Sequence, residues 1–113
     1  MNIPTEEQEQ IALVGYLEVK GIKHTAIPNS TYTKSWNQKR KNKAMGLKAG
    51  LCDMLLIINN KLLFIEMKRT KRSQTSPEQK EWIKELNKCN GVEAVICKGF
   101  LQAKEVVDRY LKS

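Results

Sequence analysis

The chain has 113 residues, a hydrophobic fraction of 41%, and twenty Lys and Arg against twelve Asp and Glu, for a formal net charge of +8. That length suits one domain with a single core, and no apolar run approaches the roughly 20 residues that cross a bilayer. The acidic start, Met1 to Gln8, carries no apolar leader and gives the expectation of a cytoplasmic protein, while the single His24 and the three cysteines without a CxxC pair exclude imidazole-pair and thiolate metal sites.

In chain order, Thr5 to Lys20 has apolar residues at Ile11, Leu13, Val14 and Leu17, with acids in the first turn and Gly21 as a stop, which predicts a helix. His24 to Pro28 reads as a short strand. The polar stretch Asn29 to Lys48 carries Tyr32, Trp36 and the cluster Lys39, Arg40, Lys41, Lys43, and reads as a substrate-facing loop or short helix. Two apolar runs, Met54–Ile58 and Lys61–Lys68, flank Asn59-Asn60 and predict a β-hairpin. Both faces of those strands are apolar, which suggests central strands covered by helices on both sides. Ser76-Pro77 opens a helix expected to run through Asn90, with Ser as N-cap and Pro at the first helical position. A strand follows over Glu93–Lys98, then an amphipathic helix over Phe100–Leu111 with Phe100, Ala103, Val107 and Tyr110 aligned. Cys52, Cys89 and Cys97 are expected as reduced, partly buried thiols. The order α-β-β-β-α-β-α belongs to an α/β (α+β) fold with a mixed central sheet flanked by helices.

The charge is unevenly spread. Between Val19 and Pro77 there are thirteen Lys and Arg against two acids, a net of +11, whereas the flanks hold seven bases against ten acids, a net of −3. A field of this kind steers phosphate backbones, although a solvated basic face is the plainer alternative. The two acids inside it are Asp53 and Glu66. If Asn59-Asn60 is a two-residue turn, cross-strand partners sum to 119, so Asp53 lies opposite Glu66, with Cβ atoms roughly 4.5 to 5.5 Å apart. Lys68 then falls two residues on along the same face. Paired carboxylates on an apolar hairpin repel unless a cation holds them, and oxygen donors alone favour Mg²⁺ or Mn²⁺. Metal-assisted phosphodiester hydrolysis fits this grouping, with Lys68 positioning water or stabilising charge. The competing reading makes Asp53 a strand-start residue and Glu66 with Lys68 an edge ion pair. A one-residue change in the turn would also send Asp53 to the other face.

Gly46-Leu-Lys-Ala-Gly-Leu-Cys-Asp53, Phe64-Ile-Glu-Met-Lys68 and Ser76-Pro-Glu-Gln79 together resemble the VRR-NUC (virus-type replication-repair nuclease) branch of the PD-(D/E)xK superfamily. Thr5 to Gln10, Ile27-Pro-Asn29 and Val95 to Phe100 are similar to further parts of that family, so the resemblance covers nearly the whole chain as one domain, 1–113. One departure is Cys52, where the family usually has proline before the aspartate. The resemblance implies a restriction-endonuclease-like core, carboxylates that bind Mg²⁺ or Mn²⁺, and an assisting lysine. It implies that Glu6 supports the metal or its water, a place Glu7 or Glu9 can also take, with an ordinary first-turn acid as the alternative. It gives Gln79 a catalytic role, in competition with a capping box Ser76-x-x-Gln79, the two coexisting only if Gln79 is shared.

Lys39, Arg40, Lys41, Lys43, Lys71 and Arg72 are assigned to backbone phosphates, with Asn29 beside them and Tyr32 and Trp36 as stacking or core residues. Without a base-reading motif, recognition by shape is expected. Small stand-alone members resemble Holliday-junction-resolving endonucleases that work as homodimers, which implies branched DNA as partner. The alternatives are a less selective flap or nicking nuclease, and a basic nucleic-acid-binding module without chemistry.

Overall fold

The computed structural model describes residues 2–28 and 34–113. Among them the elements are α1 (Glu6–Lys20), β1 (Lys23–Ala26), α2 (Trp36–Ala44), β2 (Met54–Ile58), β3 (Lys61–Lys68), α3 (Pro77–Asn87), β4 (Val92–Lys98) and α4 (Phe100–Leu111). The polar stretch before β2 therefore contains a helix, α2, that the expected order lacked. The sheet order is β1-β2-β3-β4. β1 to β3 are antiparallel neighbours, and β4 joins β3 in parallel, which makes the sheet mixed.

Asn59 and Asn60 adopt φ of 50° and 63°, the pair of left-handed residues that a tight two-residue hairpin requires. The ladder runs from Ile58↔Lys61 to Met54↔Ile65, so the predicted sum of 119 holds throughout. Alternation then sends Met54, Leu56, Ile58, Leu63, Ile65 and Met67 to one face, all buried. Leu13 and Leu17 of α1 and Ala103 and Val107 of α4 cover that face and complete the core. Each of the larger side chains stabilises the fold by about 1.5–3 kcal/mol through removal from water. Ile11, expected on this face, is 62% exposed: burial is confined to the stripe of Leu13 and Leu17, with Val14 half-buried beside it.

The other face departs from expectation. α3 packs on β4, where the Asn87 side chain accepts from the Ala94 amide and donates to the Ala94 carbonyl. Beyond that strand the cover ends, leaving Ile57 51% and Leu62 37% exposed, with Leu55 and Phe64 half-buried. β2 and the first half of β3 thus have helices on one side only, while α3 reaches the far end of β3 at Glu66 and Lys68. α3 also ends at Asn87 rather than Asn90, because residues 88–91 turn back, with Val92 N–H reaching the Cys89 carbonyl and Gly91 at φ 72°. The cysteines, expected as partly buried, divide: Cys52 and Cys97 are fully buried in the core and Cys89 is exposed. No described helix is long and apolar enough to cross a membrane.

Candidate active site

The ladder between β2 and β3 stops at Met54↔Ile65, one pair short of Asp53 and Glu66. Asp53 bridges the gap with both of its ends. Its carbonyl accepts from Ile27 N–H at 2.7 Å, and its carboxylate Oδ2 accepts from Met67 N–H at 2.8 Å. A side-chain oxygen thus takes the place of a strand carbonyl, fixing the carboxylate against the very segment that carries Glu66 and Lys68. Glu66 is 3% and Lys68 7% exposed, a degree of burial that charged side chains reach only when paired.

Gln79, in the first turn of α3, ties the two together. Its Nε2 donates to Glu66 Oε2 at 2.7 Å, and its Oε1 accepts from Lys68 Nζ at 3.0 Å. The same Oε1 accepts from Ser76 N–H at 3.0 Å, while Gln79 N–H donates to Ser76 Oγ at 3.1 Å. The capping box and the contact with the acid and the lysine are therefore one arrangement, sharing the two lone pairs of a single carbonyl oxygen. Lys68 Nζ also lies 3.6 Å from Glu66 Oε2. Gly50, at φ 100°, lets the loop before Asp53 close on this helix start: a Cβ there would sit 2.7 Å from the Glu78 backbone carbon and 2.9 Å from Gln79 N.

Electrostatically the site is under load. Burial, then the Asp53 charge, push Glu66 up to about 8, with Lys68 opposing the shift and Glu6 adding to it. Burial also raises Asp53, against the Met67 amide and Lys68, which lower it. The neighbouring Cys52 thiol is pushed up to about 12, first by burial and then by the two carboxylates, and stays protonated. Glu66 Oε1 is buried and has no hydrogen-bond partner among the described residues. An orphaned carboxylate oxygen beside a second carboxylate is what a cation would satisfy, so these donors fit a hard divalent metal. Among the described residues there is no cluster of three or more His, Cys, Asp or Glu placed around one such point.

The remaining site residues fall around this centre. Glu6 and Glu7 are exposed on α1 and share with Gln10 and Asp53 the lining of a cavity of about 310 Å³. Glu9 leaves the contest: it is buried, and its Oε1 accepts from Phe100 N–H at 3.0 Å. It thereby caps α4, whose own N-cap residue, Gly99, has no side chain to do so. That role escaped the sequence reading, although a glycine at a helix start is a signal that a cap must come from elsewhere. Lys39, Arg40, Lys41 and Lys43 line up on α2, and Lys71 and Arg72 sit in the loop after β3, all exposed. Trp36 is 76% exposed, which rules out its core role. Asn29 and Tyr32 lie outside the described residues.

Known proteins share this fold. A solved "VRR_NUC domain protein" superposes with a TM-score of 0.79 at 28% identity, over 98% of this chain and 91% of that one. A second solved "VRR_NUC domain" gives 0.68 at 17% identity, over 95% and 99%, a likeness of fold. No curated protein sequence matches. Residues 5–101 match the VRR-NUC domain itself, so the chain belongs to the VRR-NUC family and carries a nuclease domain of the PD-(D/E)xK type.

Proposed function

We propose that the protein is a Mg²⁺- or Mn²⁺-dependent endonuclease that hydrolyses phosphodiester bonds in branched DNA, working as a homodimer. The observation that carries this reading is the buried grouping of Asp53, Glu66 and Lys68 tied by Gln79, with Glu66 Oε1 left without a partner. A site built only for stability would not bury two carboxylates side by side, where the Asp53 charge opposes the ionisation of Glu66.

Asp53 and Glu66 would hold the cation, with Glu6 close enough in charge to act on its outer waters. A divalent ion bound there supplies Lewis-acid polarisation of the phosphate and a more acidic attacking water. Gln79 donates to Glu66 Oε2, which would leave Oε1 for the cation. Lys68, held by Gln79 and screened from solvent, orients the water and offsets charge that gathers on the phosphate oxygens as the P–O bond breaks. The exposed cations of α2 and of the loop carrying Lys71 and Arg72 contact the backbone without reading sequence, which supports recognition of shape. The open face of Leu55, Ile57, Leu62 and Phe64 supports pairing of two copies, as two symmetric cuts at a junction require.

Cleavage of a synthetic four-way junction, a flap and a plain duplex tests the reading. The junction should be cut fastest in Mg²⁺ or Mn²⁺ and not at all in EDTA, and Asp53→Ala should abolish cutting. Undiminished cleavage by Asp53→Ala would sink the proposal. Equal rates on all three substrates would replace branched DNA by the flap or nicking alternative.

A further inference from the structure

Helix α2 has no buried residue, and Lys34 to Lys41 are all exposed. α3 shares that lack of fully buried residues but packs on β4 through half-buried ones, whereas α2 has a single half-buried residue, Asn42. It therefore contributes nothing to the core, and its nine residues fall short of the roughly 12–15 at which an isolated helix persists in water. Its composition makes matters worse. Four cations and no acid lie between Trp36 and Ala44, and Lys39 repels Lys43 one turn on. The Ser35 cap and the favourable placement of Lys41 and Lys43 at the negative end of the helix offset this in part.

At about 100° per residue, Trp36, Lys39, Arg40 and Lys43 fall within an arc on the order of 100°, so the indole and three cations form one stripe. Arg40 is held by the Asn37 side chain at 2.8 Å, and a Gln38–Asn42 bond braces the opposite face. Lys39 Nζ sits 5.2 Å from the centroid of the Trp36 ring, steadying one face of the indole by cation–π attraction. The ring is 76% exposed all the same. A stripe of phosphate-length cations ending in a bare aromatic ring matches a strand whose bases are unpaired, because in a continuous duplex the base faces are covered by their neighbours. The chain leaving α2 runs into the loop that ends at Asp53, and that loop is clamped to α3 by the Gly50 contact and by Trp82 Nε1 donating to the Ala49 carbonyl at 3.1 Å.

We infer that α2 is an arm that grips a single-stranded segment of the DNA beside the scissile site, with Trp36 stacked on an unpaired base and Lys39, Arg40 and Lys43 on the adjoining phosphates. This rests on the reading of the protein as a nuclease of branched DNA, and it adds that the strand beside the cut is held unpaired at the branch. The arm gains its missing stabilisation from the phosphates, so DNA also firms up the helix.

The test uses full-length Trp82→Phe, in which Trp36 is the single tryptophan, in EDTA so that binding is separated from cutting. The probes are a blunt duplex and the same duplex carrying an oligothymidine flap. The flap should quench Trp36 fluorescence where the blunt duplex does not. With Trp82 restored, Trp36→Ala should raise Kd for the flapped DNA by about 10-fold and leave the blunt duplex within about twofold. Replacing Lys39, Arg40 and Lys43 by Ala should flatten the log–log salt dependence of flap binding by about 2. Absence of quenching, an equal loss on both probes, or an unchanged salt slope would each overturn the inference. Quenching without any Mg²⁺-dependent cleavage would instead overturn the nuclease reading and leave the arm standing. Cleavage without quenching would do the reverse.

Discussion

Glu66→Gln should make the metal-free protein more stable while abolishing its activity. Glu66 is 3% exposed, and burial together with the Asp53 charge lifts it from the ordinary 4.5 to about 8. A carboxyl whose folded value is raised binds its proton more tightly folded than unfolded. Folding therefore carries no penalty below about pH 4.5, a growing one above it, and the full penalty beyond about pH 8. At pH 7 the interval from 4.5 spans about 2.5 pH units, which at about 1.4 kcal/mol each bounds the penalty at about 3.5 kcal/mol. The amide also loses the pairing with Lys68, 3.6 Å from Glu66 Oε2, which lowers the expected gain to about 1–3 kcal/mol. Its carbonyl still accepts from Gln79 Nε2. Thermal unfolding in EDTA should show Glu66→Gln melting above wild type by roughly 4 °C per kcal/mol, with the gap widening from pH 5 to pH 8. Adding Mg²⁺ or Mn²⁺ should raise the wild-type Tm by mass action and leave the variant unmoved. A variant less stable than wild type in EDTA at pH 8 would refute the claim that the two carboxylates are held in opposition.

Gln79→Ala removes a capping partner and the link between Glu66 and Lys68, so kcat should fall on the order of 10–100-fold, whereas Ser76→Ala should cost about 1 kcal/mol of stability with kcat nearly unchanged. Equal losses of kcat in the two variants would reduce Gln79 to a helix cap. Gly50→Ala meets the Glu78 backbone at 2.7 Å from a backbone at φ 100°, and should lower stability by about 1–3 kcal/mol and displace Gln79, seen as a fall in kcat larger than Ser76→Ala gives. A Gly50→Ala protein with wild-type Tm and rate would contradict the close approach.

How far the sequence led depended on whether a feature is set locally. The hairpin is local: Asn59-Asn60 fixes the turn, the turn fixes the register, and the register places Asp53 beside Glu66 with Lys68 following, so both strands and their pairing were legible from residues 54–68. α4 and the capping box of α3 were legible for the same reason, each being written in a dozen residues or fewer. What depends on distant partners was not. The apolar face of Ile57 and Leu62 reads as buried because its composition is that of a core strand, and only the placement of α3 over β4 leaves it bare.

The candidate site divides along the same line. Gln79 offered two readings because a capping glutamine and a glutamine that braces an acid are identical in sequence, and the fold resolves the choice by letting one amide serve both. The three glutamates at the start of α1, Glu6, Glu7 and Glu9, are equally indistinguishable as residues. They separate once α4 is in place, since Glu9 meets the bare amide at Phe100 while Glu6 and Glu7 remain on the Asp53 cavity. A helix start that lacks its own cap, Gly99, thus selects which acid is structural and by elimination which acids stay free for the site. Glu9→Gln should then weaken the protein without changing its metal dependence, whereas Glu6→Gln should leave stability alone and alter activity in limiting metal.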